Sequence, residues 1–461
     1  MAAPSTERTA IGDLPPGWRI RTVSEFATKV GSGATPLGGK SVYLAERVSH
    51  ALIRSQHVFD RHFDTAELAY ISEEHSRELR SAEVRSGDVL LNITGDGVTF
   101  ARSCLVPDEI LPACVNQHVS VIRVNRECCE PGYLLSFLTH PLAKRYMESF
   151  NTGGSRRALT KGHIESFEIP LPPLPVQRRI AGTLSAYDEL IENCQRRIRI
   201  LEAMARALYR EWFVHFRFPG HEKVKMVRPA SRPGEASAKT DGDIPKGWEV
   251  RPLELLIADH IGGGWGNEVA DEDHTEPAWV IRGTDIPDAR DSQVAGVPHR
   301  FHTVSNLRSR KLAAGDILFE VSGGSKGQPV GRTLLVTPEL LSALDGDVIC
   351  ASFCKRVRPE FEAYGSELLY LSFLEGYESG EIEQYQVQST GISNFKWTEY
   401  IANTERVIPP APLRSRFHEL VAPMLTQVAT IGLKIHNLRR TRDLLLPRLL
   451  SGQVELAGEA A

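Results

Sequence analysis

Few residues of this 461-residue chain have both the type and the spacing that catalysis needs. The segment 33–41 reads Gly-Ala-Thr-Pro-Leu-Gly-Gly-Lys-Ser, but a phosphate-binding loop has lysine directly after its second glycine, and Gly39 intervenes here. His57, His62 and His75 are irregularly spaced, which disfavours a metal site. The sequence therefore predicts no catalytic residues, and no metal or cofactor bound by this chain.

The Pro-Pro pairs supply no methylation loop either. An enzyme that methylates adenine holds the flipped base with an Asn or Asp placed before Pro-Pro and an aromatic residue. Every Pro-Pro pair in the chain follows leucine or isoleucine, which cannot bond an exocyclic amine. A stand-alone nuclease or methylase is therefore the least supported function.

Several polar residues beside glycine-rich turns have the chemistry to contact DNA. Lysine and arginine neutralise phosphates, Asn or Gln can pair with adenine, and Arg can pair with guanine. For the Asn-Gln-His string at 116–118, a purely structural turn is the alternative. The predicted DNA-binding residues are Arg102, Asn116, Gln117, Arg156, Arg157 and Lys161 in the first half and Lys326, Arg332, Ser393 and Lys396 in the second.

The chain repeats itself, which determines how these residues are positioned. The segment 13–18 (Asp-Leu-Pro-Pro-Gly-Trp) returns at 243–248 as Asp-Ile-Pro-Lys-Gly-Trp, and Ser-Gly-Asp-Val-Leu-Leu at 86–91 matches Ala-Gly-Asp-Ile-Leu-Phe at 314–319. Gly-Asp before an apolar run is typical of a turn that enters a buried strand. The sequence therefore predicts two copies of one mixed globular domain.

Each copy is followed by a long helix with an apolar stripe. The stretches after Pro175 and Pro412 align at a constant offset of 237 residues, and their apolar residues recur in steps of three and four, as in a coiled coil. Met204 and Leu420 also fall on these stripes. The predicted seam is Ile180, Leu184, Ile191, Ile198, Leu201, Leu208, Phe417, Val428, Ile431, Ile435, Leu438 and Leu445.

These two helices have matching lengths, so we expect them to pair with each other, and antiparallel because a whole domain lies between them. Packing of each helix on its own domain or on another protein is the alternative. The fold class is α+β, with two pseudo-repeated globular α+β domains held apart by an antiparallel coiled coil. The predicted parts are a flexible tail (1–14), domain 1 (15–174), spacer helix 1 (175–216), a linker (217–243), domain 2 (244–411), spacer helix 2 (412–450) and a C-terminal tail (451–461).

Composition is that of an ordinary globular protein with more than one domain: 41% hydrophobic, 24% charged, and a formal net charge of −4. This balance does not itself indicate nucleic-acid binding, and we interpret the basic stretch 196–228 as a solvated helix face and linker. Seven cysteines without a Cys-x-x-Cys pair predict neither a disulfide framework nor a zinc site. With no signal peptide and no long apolar run, we expect a cytoplasmic protein.

Taken together, these features resemble the specificity subunits of type I restriction–modification enzymes. Both domains end in a stretch like Ile-Pro-Leu-Pro-Pro (169–173; 407–410), and further similar strings are Asn-Gln-His-Val (116–119), Thr-Gly-Gly-Ser-Arg-Arg (152–157) and Leu-Pro-Arg-Leu-Leu-Ser-Gly (446–452). The second half departs from the pattern, with Cys-Ala-Ser-Phe (350–353) in the Asn-Gln-His region and Thr-Gly-Ile-Ser-Asn (390–394) for the Gly-Gly-Ser turn.

The resemblance implies a non-catalytic, DNA-binding subunit whose two target-recognition domains each read half of a split site. The helices would act as a spacer and as a docking surface for two methyltransferase subunits, which use S-adenosylmethionine. Motor-nuclease subunits that use ATP and Mg would cut unmethylated DNA, as in phage defence. The alternative is a coiled-coil scaffold that joins partner proteins without reading a DNA sequence.

Overall fold

The structure, a computed structural model, describes residues 17–95, 98–150, 157–229, 242–323, 329–360, 364–389 and 392–454, together with the backbone of 8, 9, 12 and 13. It divides into two compact units, which are described separately. Unit 1 comprises Met1–Leu190 and Leu438–Ala461, and unit 2 comprises Ile191–Asn437. Arg156, Lys326 and parts of both predicted tails and of the linker lie outside the described residues.

Unit 1 consists of a mixed α+β domain and of one segment from each of the two long helices. Its strands are β1 (Arg8–Thr9), β2 (Gly12–Asp13), β3 (Arg19–Thr22), β4 (Ala27–Ser32), β5 (His50–Ile53), β6 (Val58–Phe59), β7 (His62–Phe63), β8 (Ala69–Ile71), β9 (Val89–Asn92), β10 (Thr94–Gly95), β11 (Ser103–Leu105), β12 (Ala113–Val115), β13 (Val119–Val124), β14 (Arg157–Ala158) and β15 (Glu168–Leu171). Its helices are α1 (Val23–Phe26), α2 (Glu73–Glu78), α3 (Pro131–Leu138), α4 (Pro141–Ser149) and α5 (Lys161–Glu165).

The long helix α6 (Leu174–Tyr209) continues into a π-helical turn at Arg210–Val214. Unit 2 then has the strands β16 (Met226–Val227), β17 (Ile244–Pro245), β18 (Glu249–Pro252), β19 (Ile257–Gly262), β20 (Glu276–Ile281), β21 (His299–His302), β22 (Ile317–Glu320), β23 (Ser322–Gly323), β24 (Thr333–Leu335), β25 (Val348–Cys350), β26 (Cys354–Pro359), β27 (Gln386–Ser389), β28 (Ile392–Phe395) and β29 (Glu405–Ile408). Its helices are α7 (Ile286–Arg290), α8 (Val304–Arg310), α9 (Pro338–Leu344), α10 (Ser366–Glu378) and α11 (Trp397–Asn403), followed by the second long helix α12 (Ala411–Leu450).

The main sheets of the two units have the same topology. Unit 1 has an antiparallel sheet in the order β11-β9-β13-β4, and unit 2 has the matching sheet β24-β22-β26-β19. The three-stranded sheet β12-β5-β8 corresponds to β25-β20-β21, with one parallel and one antiparallel pairing in each. First and last strands pair in both, β3 with β15 and β18 with β29. This confirms the predicted duplication and the α+β class.

The central strands β9 and β22 are buried on both faces. Val89 and Leu91 face the core that also contains α3, whereas Leu90 faces the core of the three-stranded sheet. In β22, Ile317 and Phe319 face one core and Leu318 the other. Successive side chains of a strand point to opposite faces, so both strands are continuously apolar rather than alternating.

The Gly-Asp pair that precedes each of these strands forms a fixed turn. Gly87 and Gly315 have φ angles of 81° and 91°, in the left-handed region that favours glycine. The Asp88 carboxylate accepts two hydrogen bonds from Arg123 of β13, at 2.8 and 2.7 Å, and in unit 2 Asp316 accepts two from Arg358, at 2.7 and 2.8 Å. The repeated motif is therefore a structural brace that joins the turn to the neighbouring strand.

Contacts inside each unit show that α6 and α12 run antiparallel. In unit 1, Ile180 and Leu184 near the start of α6 share a core with Leu446 and Leu449 near the end of α12. In unit 2 the order is reversed, with Phe213 at the end of the first helix packing edge to face on Phe417 at the start of α12, their ring centroids 4.7 Å apart. The predicted antiparallel pairing is confirmed.

Most of the predicted apolar stripe is buried along α6 and α12, each of which has ten or more turns. Among the predicted seam residues, Leu201, Leu208, Leu438 and Leu445 are half-buried and the other eight are buried. Met204 and Leu420 were wrongly placed on the stripe, because they are 48% and 40% exposed while their neighbours Ala205 and Val421 are buried. In these parts the helices pack into the core of unit 2, which shifts the buried face by one residue.

Candidate nucleic-acid interface

Three loops of unit 1 meet at one end of the four-stranded sheet. Strand β4 finishes there opposite the start of β13, with Ser32 paired to Ser120, and β9 finishes at the same end. The loops are 33–49, 116–118, and 93–101, of which the structure does not describe 96 and 97. We call this the loop end of unit 1; the opposite end, where β13 finishes, is called the helix end because α6 begins beside it.

Side-chain hydrogen bonds link these loops in a chain. Thr35 Oγ1 donates to Gln117 Oε1 at 2.6 Å, Gln117 Nε2 contacts His118 Nε2 at 3.2 Å, and His118 Nδ1 contacts Thr94 Oγ1 at 2.6 Å. An amide nitrogen can only donate, so His118 Nε2 accepts and the neutral ring carries its proton on Nδ1. Among the described residues, these contacts use one hydrogen and one lone pair of the Gln117 amide and leave one of each, the combination that recognises adenine.

Asn116 lies beside these linked hydrogen bonds and holds the turn in shape. Its side chain is buried, and its Oδ1 accepts from the His118 backbone N–H at 3.0 Å. Its backbone carbonyl accepts from the Gly33 N–H at 3.1 Å. Asn116 therefore shapes the turn, and Gln117 carries the exposed amide.

The loop end of unit 2 has the same backbone and different chemistry. Val321 N–H donates to Phe353 O at 2.9 Å, as Ile93 N–H donates to His118 O at 3.0 Å, so Phe353 takes the place of His118. The Phe353 side chain is 55% exposed. Nearby on loop 263–275, Trp265 is 42% exposed, with the Arg300 guanidinium 4.9 Å from its ring centroid. This end has two exposed aromatic rings, one of them on a loop that also holds the hydrogen-bonded Asn267 and His274.

Two of the predicted arginines are held by neighbouring side chains. Arg102 lies over the Phe59 ring at 4.5 Å. Arg332 is at the equivalent backbone position in unit 2. The backbone N–H of Asn92 donates to Arg102 O at 2.9 Å, and the backbone N–H of Glu320 donates to Arg332 O at the same distance. The Arg332 guanidinium makes two hydrogen bonds to Glu320, at 2.8 and 2.5 Å, in a nearly buried pair.

The other predicted contacts lie beside the last strand of each domain. Arg157 pairs with Glu148 at 2.5 Å while its backbone pairs with Gly95 of the loop end. Lys161 and Lys396 are exposed at the starts of α5 and α11, each near a glutamate of its own helix. Ser393 lies on β28, opposite Gly323. The structure thus brings Arg102, Gln117 and Arg157 to one loop end, and Ser393 to the other.

The glycine-rich segments near the domain starts are explained by close packing. A Cβ on Gly33 would collide with the carbonyl oxygen of Val115, and one on Gly263 with that of Cys350. Each glycine therefore lets its loop approach the parallel strand pair of its unit. These glycines fix the loop end rather than form a phosphate cradle.

Burial shifts the pKa values of several cysteine and histidine side chains. Burial raises the pKa of Cys114 and of Cys350 to about 12, which disfavours the reactive thiolate. Burial, with the charge of Arg54, lowers the pKa of His57 to about 4, and its Nδ1 accepts from the Arg54 N–H at 3.1 Å. Among the described residues, no group of three or more His, Cys, Asp or Glu could hold a metal ion.

Six residues of the two loop ends were not predicted as site residues: Thr35, Thr94, His118, Trp265, Arg300 and Phe353. Thr35 and Gln117 are 82 positions apart and meet only because β4 and β13 are paired. Trp265 lies between Gly264 and Gly266, and this glycine-rich stretch is the one signal for it in the sequence. Within the described part of the chain, no helix is long and apolar enough to cross a membrane.

Comparisons with known proteins identify this kind of domain. Residues 82–203 match the family model for the type I restriction modification DNA specificity domain. The chain is 24% identical over 458 residues to the specificity subunit of the type I restriction enzyme MjaIX of Methanocaldococcus jannaschii, covering 98% of this chain and 96% of that protein. A putative MjaX specificity subunit of the same organism is 22% identical over 248 residues, 54% of each chain.

A solved structure has the same fold. The type I restriction-modification S subunit from M. genitalium superposes with a TM-score of 0.55 at 11% identity, and the alignment covers 97% of both chains. The fold is that of an S subunit, and residues 82–203 resemble a DNA specificity domain. Along nearly its whole length the chain is thus similar to a specificity subunit of a type I restriction–modification enzyme.

Proposed function

We propose that this subunit selects DNA for a type I restriction–modification complex, and that the loop end of each unit reads one half of a bipartite site. The observation that carries the proposal is the difference between two otherwise equivalent loop ends. Backbone hydrogen bonds are repeated at Ile93–His118 and Val321–Phe353, yet this position holds a hydrogen-bonded imidazole in one unit and an exposed phenyl ring in the other. Such a pair suits two different half-sites.

Recognition in unit 1 depends on the Gln117 amide, which is held in place from both sides and still has bonding capacity for a base edge. In unit 2, Phe353 and Trp265 offer apolar contact to thymine methyl groups or to exposed base faces. Lys161 and Lys396 supply phosphate contacts, which position a protein on DNA without reading sequence. Arg156, Lys326 and Ser393 keep their proposed roles as DNA contacts.

The chain itself performs no catalytic step in this proposal and binds no cofactor. Two methyltransferase subunits would dock on it and supply S-adenosylmethionine chemistry, and motor-nuclease subunits would supply ATP- and Mg-dependent cleavage. The complex would act on double-stranded DNA in the cytoplasm. What supports these partners is the similarity to a type I specificity subunit, together with the two long helices that leave charged residues such as Arg196 and Glu192 exposed.

The test is to map methylated adenines produced by the complex with its methyltransferase subunits on a randomised DNA library. We expect a bipartite motif whose first half alone is relaxed by Gln117→Ala and whose second half alone is relaxed by Phe353→Ala. Losing one good base contact costs about 1–3 kcal/mol, or roughly tenfold to a hundredfold in preference. Gln427→Ala, on an exposed position of α12, is the matched control and should change neither half.

Two outcomes would contradict the proposed function. If either loop variant altered both halves together or neither, the two loop ends would not be independent readers. If the purified complex bound random duplex DNA without dependence on salt or sequence, the scaffold interpretation would replace this proposal.

A further inference from the structure

The apolar stripe of α12 is interrupted at Arg442, and the structure gives this arginine a partner on the other long helix. Arg442 lies between Leu438 and Leu445, at a position where the spacing of the stripe calls for an apolar residue. Its Nη1 donates to Asp188 Oδ1 of α6 at 2.7 Å, and both side chains are mostly covered. A charged contact is therefore part of the seam between the two helices in unit 1.

The second oxygen of the Asp188 carboxylate binds a residue of the globular domain. Arg61 donates through Nε to Asp188 Oδ2 at 2.8 Å, and its Nη2 lies 2.7 Å from the same oxygen. The remaining Nη1 donates to Ser136 Oγ at 3.2 Å, in the last turn of α3. One carboxylate is thus shared by an arginine of the domain and an arginine of the second helix.

The turn that carries Arg61 is fixed to the core of the domain. Arg61 lies between β6 and β7 with a φ of 61°, in the left-handed region that residues other than glycine seldom adopt. Its N–H donates to Ser103 O at 2.8 Å, and the preceding Asp60 forms an ion pair with Lys144 of α4. Such a backbone conformation persists where its surroundings determine it, so this turn is a rigid link between the domain and Asp188.

The same hairpin also supports a side chain at the loop end of unit 1. Phe59 of β6 lies beneath the Arg102 guanidinium, whose central carbon is 4.5 Å from the ring centroid. Arg102 is one of the predicted DNA contacts, and Arg61 is only two positions after Phe59. A single short hairpin therefore contacts both a candidate DNA-reading residue and the long helices.

Unit 2 has apolar residues at the corresponding helix positions. The offset of 237 residues between the two helices matches Asp188 with Leu425 and Arg442 with Ala205. Both are buried in the core of unit 2. Buried apolar contacts usually stabilise a protein at least as well as a buried ion pair, so stability alone does not require the charges. The best-attested role of polar groups in a helix seam is to fix the register.

We infer that Arg61, Asp188 and Arg442 are positioning residues, which hold domain 1 on the helix pair in one arrangement and thereby select one length of unread DNA spacer. A shift of either helix by one turn, about 5.4 Å, would separate the carboxylate from an arginine, whereas an apolar contact is non-directional and tolerates displacement. The inference rests on the proposed function, in which the spacer separates the two half-sites.

The test measures methylation by the complex of the full chain with its methyltransferase subunits. The substrates are duplexes that carry both half-sites at the native spacer or at spacers one base pair shorter or longer. The triple variant Arg61→Met, Asp188→Leu and Arg442→Met removes all three charges together, which should preserve the stability of the fold. We expect its methylation at the altered spacers, relative to the native spacer, to rise about tenfold, while base preference within each half-site stays the same.

Two further variants separate positioning from stability. Arg442→Lys keeps a cation for the single hydrogen bond to Asp188 and should retain the preference for one spacer. Asp88→Asn weakens the domain at its hydrogen bonds to Arg123, without touching the three positioning residues, and should also retain that preference. Asp188→Asn, which preserves the shape of the side chain but not its charge, is a second probe and should relax the preference in the same direction as the triple variant.

Thermal unfolding of the free chains identifies the variants that fold. A folded triple variant or Asp188→Asn variant that accepts only the native spacer would overturn the inference. Relaxed spacing in Asp88→Asn would overturn it as well, because loss of stability would then explain the effect. If the unaltered complex reads both half-sites at one spacer and the variants do the same, only the positioning inference fails, whereas an unaltered complex that reads no half-sites would contradict the proposed function itself.

Discussion

At the scale of single residues, the repeated Asp–Arg brace is the clearest determinant of each domain. Asp88 and Asp316 are almost fully buried, and each carboxylate also accepts a backbone N–H, from Arg85 at 2.7 Å and from Ala313 at 2.8 Å. The hydrogen bonds to Asp88 raise the pKa of Arg123. A buried charge that satisfies three donors has no substitute nearby when it is removed.

Asp88→Asn should therefore lower the free energy of unfolding of unit 1 by about 3 kcal/mol, because the arginine would lose its counter-charge while remaining mostly covered. Chemical denaturation of the chain would measure the change, with Asp108→Asn, at an exposed position, as control. Asp316→Asn should have an equal effect on unit 2. Unfolding curves of Asp88→Asn that overlay those of the control would show that the brace contributes nothing.

Sequence reasoning found half of this brace and little of the candidate site. The Gly-Asp motif was visible because it occurs twice, but Arg123 lies 35 positions after Asp88 and becomes its partner only through strand pairing. The same limit applies to His118 and Thr94, whose contact depends on where β9 ends. Local spacing reveals a turn, whereas cross-sheet partners require the register.

At the scale of elements, the long helices depend on a few fully covered side chains. Leu184 has no exposed surface and lies in the core shared by α6, the end of α12 and the sheet of unit 1. Leu190, six residues further along α6, is 48% exposed. The two leucines form a matched pair on one helix.

Leu184→Ala should destabilise unit 1 by about 2–5 kcal/mol, since a buried leucine loses its packing and leaves a cavity. Leu190→Ala should stay within about 0.5 kcal/mol of the unaltered chain, as surface changes usually do. Thermal unfolding of both variants would make the comparison. Equal losses of stability would mean that the assignment of the buried face is wrong.

The coiled-coil spacing predicted the buried face of α6 up to Leu201 and predicted it less well beyond that residue. Ile180, Leu184 and Ile198 follow the coiled-coil spacing and are buried. Beyond Leu201 the buried positions become Ala205 and Tyr209, because that part of α6 enters the core of unit 2. A repeat of 3.5 residues cannot describe a face that turns toward a second neighbour.

At the scale of the whole molecule, the helices offer a prediction about spacing. Duplicating residues 191–197 in α6 and residues 428–434 in α12 adds seven residues to each helix. Because seven residues are one coiled-coil repeat, Ile198 and Ile435 stay on the apolar stripes of their helices. Seven helical residues are about 10.5 Å long, close to three base pairs of 3.4 Å. Methylation mapping should show the unread spacer lengthened by about three base pairs, with both half-sites unchanged.

Inserting the copy into one helix alone is the control, because the two stripes would then fall out of register and the complex should lose activity. A double insertion that methylates DNA with the original spacer would show that helix length does not set the distance.

The pairing of first and last strands has a consequence for how such proteins change over generations. Arg19 lies opposite Leu171, and Glu249 lies opposite Ile408, so the chain enters and leaves each domain at a single point beside its helix. A segment bounded by two adjacent ends can be replaced by recombination without moving anything outside it. A population could thus acquire a new target by exchanging one cassette between two fixed junctions, while its other cassette and its partners stay as they were.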